Sequence, residues 1–327
     1  MLKILGYLGI ERSSYYRWLK DINPAVPACL GAGRYRDRRP IKQPYEVLPE
    51  EESAVISYAL RYPNLSHRIL AWKMVDEDVA YVSPSTVYRI LCRKNLVCRR
   101  SGGREKRYRT EDEKATGPDE RWQTDIHYIK IKGRTYYLTS FIDEYARYIV
   151  HWELMTSMNK DSVSLAAQTA LEKLGADINP VIQSDNGKVY LSRDFKMVLS
   201  ERGVGHNRIH PHCPEENGIV ERWHRTLGEV YAQEEITDLY KGREVIERII
   251  KWYNKERLHS ALNYLRPVDY YRGEPEKLLE ERRRKLIQAR QKRREQNLSI
   301  RQRELTVDDP WKGGNRKLLG TSICPTL

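Results

Sequence analysis

Three acidic residues stand where the local pattern predicts ordered secondary structure, and they constrain the fold more than any other feature. Asp125 lies within residues 122–131, where apolar side chains alternate as in a half-buried strand. Asp185 ends a short apolar strand, and the next two residues, Asn186-Gly187, are a turn signal. Glu221 lies one turn into a helix with an apolar stripe. Because a charge inside a strand is costly without a partner, the pattern predicts an α/β fold with a polar site at its strand ends.

Three clustered carboxylates would suit a reaction that uses divalent metal ions. Two such ions about 3.5–4 Å apart stabilise both the attacking and the leaving oxygen in phosphoryl transfer. Without cations, two carboxylates 4 Å apart repel by roughly 4 kcal/mol at intermediate dielectric, so a cluster favours cation binding. Mg²⁺ prefers oxygen ligands and keeps several waters, which fits a few carboxylates. The alternative is that these acids are solvated surface charges, the usual place of Asp and Glu.

The sequences around these acids resemble the DDE triad of retroviral integrases and of bacterial insertion-sequence transposases with an integrase core. They read Trp-Gln-Thr-Asp at 122–125, Gln-Ser-Asp-Asn-Gly at 183–187 and Asn-Gly-Ile-Val-Glu-Arg at 217–222. The resemblance covers about residues 50–273 and includes, near 253–262, the closing signature of such transposase cores. It implies that Asp125, Asp185 and Glu221 are catalytic and hold two Mg²⁺ ions, which Mn²⁺ can replace.

The segments around the acids predict alternating strands and helices. Beyond the first strand we expect strands at 136–142 and 148–154, a helix at 160–174, a strand at 180–184, a helix from the N-cap Ser192 to about 202, and a strand at 204–209. The resemblance implies the ribonuclease H-like fold, an α/β arrangement with a mixed five-stranded sheet flanked by helices. An all-α helix-turn-helix module is expected before it, and a long basic helix after it.

Histidine and cysteine residues just before Glu221 raise a zinc alternative. His210, His212 and Cys213 are too crowded for the usual zinc spacing, and no second ligand pair stands about a dozen residues away. We favour a loop that precedes the catalytic helix and, by resemblance, lies close to DNA. The zinc-binding domain that begins retroviral integrases has no counterpart here, so the resemblance is to the bacterial transposases.

Basic and polar residues near Glu221 are candidate DNA contacts. His224 and Arg225 follow Glu221 by three and four positions and so share its helix face. Solvated charge is the alternative for the arginines. Arg257, in the closing signature, either contacts DNA or braces the core. The DNA contacts that we expect in the core are Asn217, Arg222, His224, Arg225 and Arg257.

Residues 50–98 predict a separate helix-turn-helix module. Helices are expected near 51–61 and 67–76, and Ser83-Pro84 is a good start signal for a third. The apolar residues of this third helix would face the core of the module, and its polar residues would face phosphates or base edges. The expected DNA contacts of the module are Ser85, Thr86 and Arg89. A three-helix bundle without DNA contacts is the alternative.

The remaining segments complete the predicted organisation. By resemblance, we expect residues 1–22 to be a partial helix-turn-helix that an upstream reading frame would complete, and the alternative is an ordinary amphipathic helix. The helix at 274–305 is polar all round and would lie along DNA or bridge protomers. In order, we expect a helical piece at 1–22, a basic linker at 23–49, a DNA-binding domain at 50–98, a basic linker at 99–118, a catalytic core at 119–273, a basic helix at 274–305 and a flexible tail at 306–327.

Charge and composition agree with a nucleic-acid partner. The 58 Lys+Arg against 45 Asp+Glu give a net charge of +13, which favours polyanions. The five scattered cysteines suit a reducing cytosol better than a disulfide framework. No stretch reaches the roughly 18 apolar residues of a membrane span, and no secretory signal is visible. We expect a bacterial, cytoplasmic, nucleoid-associated protein without a membrane partner.

The resemblance implies a DDE transposase that cuts DNA at insertion-sequence ends and joins the freed 3′-OH to target DNA. Its expected partners are double-stranded DNA from both the transposon ends and the target, further copies of the chain in a multimer, and an upstream-frame product. Two alternatives stay open at this point. One is a nuclease on the same fold without strand transfer, and the other is a DNA-binding regulator with a silent core.

Overall fold

The computed structural model describes residues 43–97, 115–175, 178–210 and 213–307. The predicted helical piece at 1–22, most of both basic linkers and nearly all of the tail lie outside the described residues. The described residues divide into two compact units, one spanning Val47–Ala289 and one holding residues 43–46 and 290–307. Within the described part of the chain, no helix has the length and apolar character needed to span a membrane. The predicted domain boundaries stay predictions.

The larger unit begins with the three expected helices. They are α1 (Pro49–Arg61), α2 (His67–Asp76) and α3 (Pro84–Arg93). Ser66 Oγ accepts a hydrogen bond from Ile69 N, and Ser83 Oγ accepts one from Thr86 N, so both serines cap the helices that follow. Val55 of α1, Met74 of α2 and Ile90 of α3 are fully buried and pack in one apolar cluster. The predicted start signal at Ser83-Pro84 is confirmed.

A five-stranded mixed sheet follows, with the strand order β3-β2-β1-β4-β5. The strands β1 to β3 are antiparallel neighbours, whereas β4 pairs parallel with both β1 and β5. In chain order the elements are β1 (Arg121–Ile131), β2 (Arg134–Asp143), β3 (Ile149–Met155), α4 (Lys160–Glu172), β4 (Val181–Ser184), α5 (Arg193–Glu201), β5 (His206–Arg208), α6 (Gly218–Tyr231) and α7 (Leu239–Lys255). This arrangement confirms the predicted ribonuclease H-like architecture.

Alternation along the strands gives the sheet two apolar faces. One face packs Ile129 and Leu138 against Trp223 of α6 and Ile249 of α7. The other face packs Trp122, Phe141 and Ile182 against residues of α4 and α5 such as Ala167 and Phe195. Helices on both faces bury the central strands.

Two strands differ from the expectation by more than one residue at an end. The strand β2 begins at Arg134, before the predicted start, because Lys132 and Gly133 have φ of 46° and 81° and form a tight hairpin turn. The edge strand β5 holds only His206–Arg208 of the six residues predicted. Val204 is buried in the core beneath α4 and α5 instead of lying in the strand.

The chain continues into α8 (Pro267–Tyr271) and the long α9 (Pro275–Val307). We expected a helix that buries little of itself, and α9 is mostly exposed. Arg282 departs from that expectation, because it is only 3% exposed. In the smaller unit, Asn297 Nδ2 of the same helix donates to the carbonyl oxygens of Pro44 and Glu46 at 3.2 and 2.9 Å.

Candidate active site

Asp125 and Asp185 lie on neighbouring strands of the sheet. The parallel pairing of β1 with β4 places Gln123 directly beside Gln183. Asp125 and Asp185 each lie two residues further along, and because side chains alternate across a strand, each acid is on the same face as the glutamine that precedes it. Since β4 ends at Ser184, Asp185 stands at its carboxyl end. The predicted strand positions of both acids are confirmed.

The carboxylate of Asp125 faces helix α6. Its Oδ2 lies 3.5 Å from Nδ1 of His224, which is buried on that helix. The His224 ring in turn stacks on His127, with ring centroids 4.8 Å apart. Burial lowers the pKa of His127, and proximity to His224 lowers it further. Asp125 is therefore held beside a pair of stacked imidazoles.

The carboxylate of Asp185 is oriented by the turn that follows it. Its Oδ1 accepts a hydrogen bond from Gly187 N at 2.9 Å. A Cβ at position 187 would stand only 2.9 Å from the same oxygen, so any larger residue there would displace this carboxylate oxygen. Burial raises the pKa of Asp185, the Gly187 N–H opposes this effect, and the negative charge of Asp125 adds to it. The two carboxylates are thus close enough to repel each other.

Glu221 lies in the first turn of α6, and its side chain is exposed. The helix packs on the sheet through Val220, Trp223 and Leu227, as its periodicity predicts, and Trp223 Nε1 donates to Ser140 Oγ at 3.1 Å. Within residues 43–307, apart from the two short gaps and the 98–114 segment, no three His, Cys, Asp or Glu side chains lie close enough together to hold a metal ion. The structure therefore brings Asp125 and Asp185 together and leaves Glu221 on an adjacent helix.

Comparison with known families matches this part of the chain to two models, both described as integrase core domain. One covers residues 115–214, and the other covers residues 202–267. Together they span the sheet, α6, α7 and all three acids. Residues 115–267 of this chain therefore match an integrase core.

The integrase core also relates the chain to insertion-sequence transposases. It is 28% identical over 160 residues to the putative transposase InsK of insertion sequence element IS150 from Escherichia coli, a match covering 49% of this chain and 56% of that relative. It is 29% identical over 163 residues to the transposase of IS904 from Lactococcus lactis, covering 48% of this chain and 63% of that relative. The chain thus spans somewhat more than half of the length of these two relatives.

Two solved structures are similar to this chain at lower sequence identity. The simian T-cell lymphotropic virus intasome, in complex with PP2A regulatory subunit B56 gamma, matches with a TM-score of 0.45 and 16% identity, over 67% of this chain and 74% of that chain. The HTLV-2 integrase catalytic core domain in complex with magnesium, in its trimeric form, matches with a TM-score of 0.40 and 18% identity, over 48% of this chain and 98% of that chain.

The predicted DNA contacts near Glu221 fall into two groups in the integrase core. Arg222 and Arg225 are exposed, and Arg225 Nε lies 3.9 Å from Glu229. His224 and Asn217 are buried, and Asn217 Nδ2 donates to Thr124 O at 3.4 Å. Helix spacing predicted that His224 lies on the same side of α6 as Glu221. It did not predict that this side of the helix contacts β1. For all four residues, contact with DNA stays a prediction.

Arg257 lies where several positive charges converge. Its guanidinium carbon is 5.5 Å from the ring centroid of Tyr253. Burial, together with the positive charges of Arg257, Arg147 and Arg222, lowers the pKa of His259 to about 3. The sequence did not suggest Arg147, which occupies the turn between β2 and β3 with a φ of 58°. The fold therefore gathers three arginines from distant positions around one histidine.

The predicted contacts of the helix-turn-helix lie at the start of α3. Ser85 and Arg89 are exposed and Thr86 is partly exposed. Arg89 Nε donates to Ser85 O, and its Nη2 donates to Thr86 Oγ1, both at 3.4 Å. These residues share one accessible surface, and their contact with DNA stays a prediction.

Sequence reasoning missed three polar residues that surround the acids of the integrase core. They are Gln123, His127 and Gln183, all on the face that carries the carboxylates. A signal was present, because each stands two positions from an aspartate within or beside a strand. Alternation alone places such residues on the same face as the acid.

Proposed function

We propose that this chain is a DDE transposase that cleaves DNA at insertion-sequence ends and transfers the freed strand to target DNA. Asp125, Asp185 and Glu221 are its catalytic residues. The observation that carries the proposal is the placement of Asp125 and Asp185 on one face of adjacent parallel strands, beneath the helix that bears Glu221. That placement occurs within a match to the integrase core domain.

The donor set fits magnesium. Asp125 and Asp185 supply carboxylate oxygens, half buried and close enough to repel each other, and oxygen ligands are what Mg²⁺ prefers. Glu221 is the third oxygen donor that the proposal adds, and Mn²⁺ is expected to substitute. Two such ions, when bound, supply charge stabilisation for the attacking and the leaving oxygen of the transferred phosphate.

The residues of the chain itself orient these carboxylates. The Gly187 N–H holds one oxygen of Asp185, and the imidazole of His224 lies against one oxygen of Asp125. Both contacts restrict rotation of the carboxylate before substrate arrives, and preorganisation of this kind contributes to catalysis. Arg222 is exposed next to Glu221 and is positioned to attract a phosphate of the DNA.

Recognition of DNA would be divided between the two parts of the larger unit. In the proposal, Ser85, Thr86 and Arg89 of α3 contact the terminal inverted repeats, while the core holds the scissile end. The protein would act on double-stranded DNA as a multimer that pairs two ends, with an upstream-frame product completing its first module. Its place of action would be the bacterial nucleoid.

The test is an incubation of purified protein with labelled duplexes that carry the inverted repeats flanking its coding region, together with a supercoiled plasmid. Joined products should form with Mg²⁺ and not in EDTA. An Asp185→Asn variant should lose joining by several orders of magnitude while melting at a similar temperature. The matched control is Asp194→Asn, which removes a carboxylate that pairs with Lys160 on the other face of the sheet.

Three outcomes would overturn the proposal. Nicked duplex without joined product, at every end sequence tried, would favour a nuclease on the same fold. Unchanged biological activity of a folded Asp185→Asn variant would favour a regulator with a silent core. Equal loss of joining in Asp185→Asn and Asp194→Asn would show that the effect is not specific to the proposed site.

A further inference from the structure

We infer that Gln123 and Gln183 are positioning residues that fix the start of helix α6, and with it Glu221, relative to the two aspartates. The inference rests on the proposed function and deepens it. Both glutamines are buried, at 2% and 9% exposure, and they are register partners on β1 and β4. Neither side chain contacts a carboxylate of the triad through a hydrogen bond described in the structure.

The two side-chain amides converge on one carbonyl group. Gln123 Nε2 donates to Glu216 O at 2.9 Å, and Gln183 Nε2 donates to the same oxygen at 2.6 Å. Glu216 belongs to the short 3₁₀ turn Pro214–Asn217, directly before α6. A carbonyl oxygen has two lone pairs, so one acceptor can satisfy both amides. The turn is thereby tied to both aspartate-bearing strands at once.

Gln123 also supplies a helix cap from outside the helix. The first N–H groups of any helix lack intrahelical partners. The residue at the N-cap of α6, Asn217, makes no side-chain cap bond. Instead, Gln123 Oε1 accepts from Ile219 N at 3.2 Å. One amide therefore holds both the turn and the first turn of the helix, two residues before Glu221.

This arrangement explains why glutamine stands two positions before each aspartate. Alternation places the glutamine and the aspartate of each strand on the same face of the sheet. This face therefore carries both the two aspartates and the two glutamines that hold α6, the helix of Glu221. A side chain of this length with both a donor and an acceptor is needed at 123, whereas position 183 uses only the donor. The chemistry expected from each position thus differs.

The test compares Gln123→Met and Gln183→Met, which keep side-chain length and remove hydrogen bonding. The matched control is Asn254→Leu. Asn254 is a buried amide in α7 that makes two bonds to the backbone of Ile149, on the far strand β3. Its loss should lower stability without touching the turn before α6. Three quantities are measured at a temperature where all proteins are folded: amide hydrogen exchange, kcat and KM for strand joining, and the Mg²⁺ concentration giving half-maximal rate.

In Gln123→Met, exchange at the Ile219 amide should accelerate by roughly five- to tenfold, the factor that one neutral hydrogen bond contributes to an opening equilibrium. Exchange in the β1–β2 ladder should not change. The kcat for joining should fall on the order of 10- to 100-fold, with KM for DNA unchanged and a higher Mg²⁺ requirement. Gln183→Met should show a smaller fall in kcat and unchanged exchange at Ile219. Asn254→Leu should melt at a lower temperature with kcat and the Mg²⁺ requirement unchanged.

Unchanged exchange at Ile219 in Gln123→Met would overturn the inference, and so would an equal loss of kcat in Asn254→Leu at matched folded fraction. If Gln123→Met fails to fold, Gln183→Met provides the test, because it removes only one hydrogen bond. A wild-type kcat and a wild-type Mg²⁺ requirement in Gln183→Met would then overturn the inference. If the wild-type protein joins no DNA, the proposed function fails. The exchange measurement still decides whether Gln123 holds the helix.

Discussion

Replacing Arg282 with methionine should weaken the link between the helices α1 to α3 and the part of the chain that holds the sheet. The guanidinium of Arg282, on α9, forms two bonds to Asp76 of α2, Nε to Oδ1 at 2.7 Å and Nη2 to Oδ2 at 2.6 Å. It also donates to the carbonyl oxygens of Asn263 and Tyr264, at 3.0 and 2.9 Å, in the loop after α7. One buried side chain therefore joins three segments that are far apart in sequence.

The expected cost follows from burial. Removing one partner of a buried ion pair typically costs about 3–5 kcal/mol, since the other charge is left without compensation. The Arg282 side chain is 4% exposed, but that of Asp76 is 39% exposed, so water can solvate part of the freed carboxylate. We therefore expect the lower end of the range, about 3 kcal/mol. Methionine keeps roughly the length of the side chain but loses the guanidinium, whose carbon lies 5.0 Å from the centroid of the Trp72 ring.

The loop that Arg282 holds adds a second effect. Asn263 and Tyr264 have φ of 51° and 59°. This left-handed conformation is uncommon for residues other than glycine. Such residues persist only where their surroundings fix them. Loss of both guanidinium bonds should loosen this loop, and the helical module should then unfold at a lower urea concentration than the core.

Urea unfolding followed by circular dichroism and by tryptophan fluorescence would measure the effect. The control is Arg283→Met, because Arg283 is 72% exposed and pairs with Glu280 across one helical turn. A double-mutant cycle with Asp76→Asn should give a coupling energy of about 1–3 kcal/mol. The reasoning is refuted if Arg282→Met unfolds in one transition at the same urea midpoint as Arg283→Met.

Two further predictions concern charge. Burial raises the pKa of Asp143 from 3.8 to about 6, so the folded chain binds this proton more tightly than the unfolded chain does. The stabilising contribution, about 3 kcal/mol, is fully present below pH 3.8 and is lost as the pH rises through 6. Asp143→Asn should flatten that part of the pH dependence of the unfolding free energy, and parallel profiles for both proteins would contradict it. Arg257→Gln should lower the slope of log affinity for DNA against log salt concentration by about one unit. The control Lys251→Gln, at an exposed lysine paired with Glu247, should leave this slope unchanged. Equal slopes for the two variants in a fluorescence-anisotropy titration would count against a phosphate contact at Arg257.

The elements of the fold were predictable because each depends on residues that are neighbours in sequence. The stripe of Val220, Trp223 and Leu227 sets the buried face of α6 whatever the sheet beneath it looks like. The caps at Ser83 and Ser192 likewise accept bonds from amides three residues ahead. Hydrophobic periodicity and capping are local rules, and the sequence therefore revealed both helix starts and most strand positions.

Contacts between charged residues distant in sequence were not predictable in the same way. The charge-rich sequence of α9 predicts a solvated helix, and nothing near Arg282 in the sequence marks it for burial. Its partner Asp76 is 206 residues away and has an equally ordinary local sequence. His224 is a related case, because spacing gives its side of the helix but not the position of β1 against that side. Such features depend on how elements pack, which local rules do not specify.

The three acids are consequently fixed by different kinds of interaction. Asp125 and Asp185 are set relative to each other by the β1–β4 ladder, whose backbone hydrogen bonds do not depend on side-chain identity. Glu221 has no such ladder, and the turn before its helix is attached to the strands by polar side chains, chiefly Gln123 and Gln183. Substitutions around the site should therefore displace Glu221 before the two aspartates. Loss of activity without loss of the sheet is the expected result of changing these polar residues, because the pair of aspartates persists wherever the strands still pair.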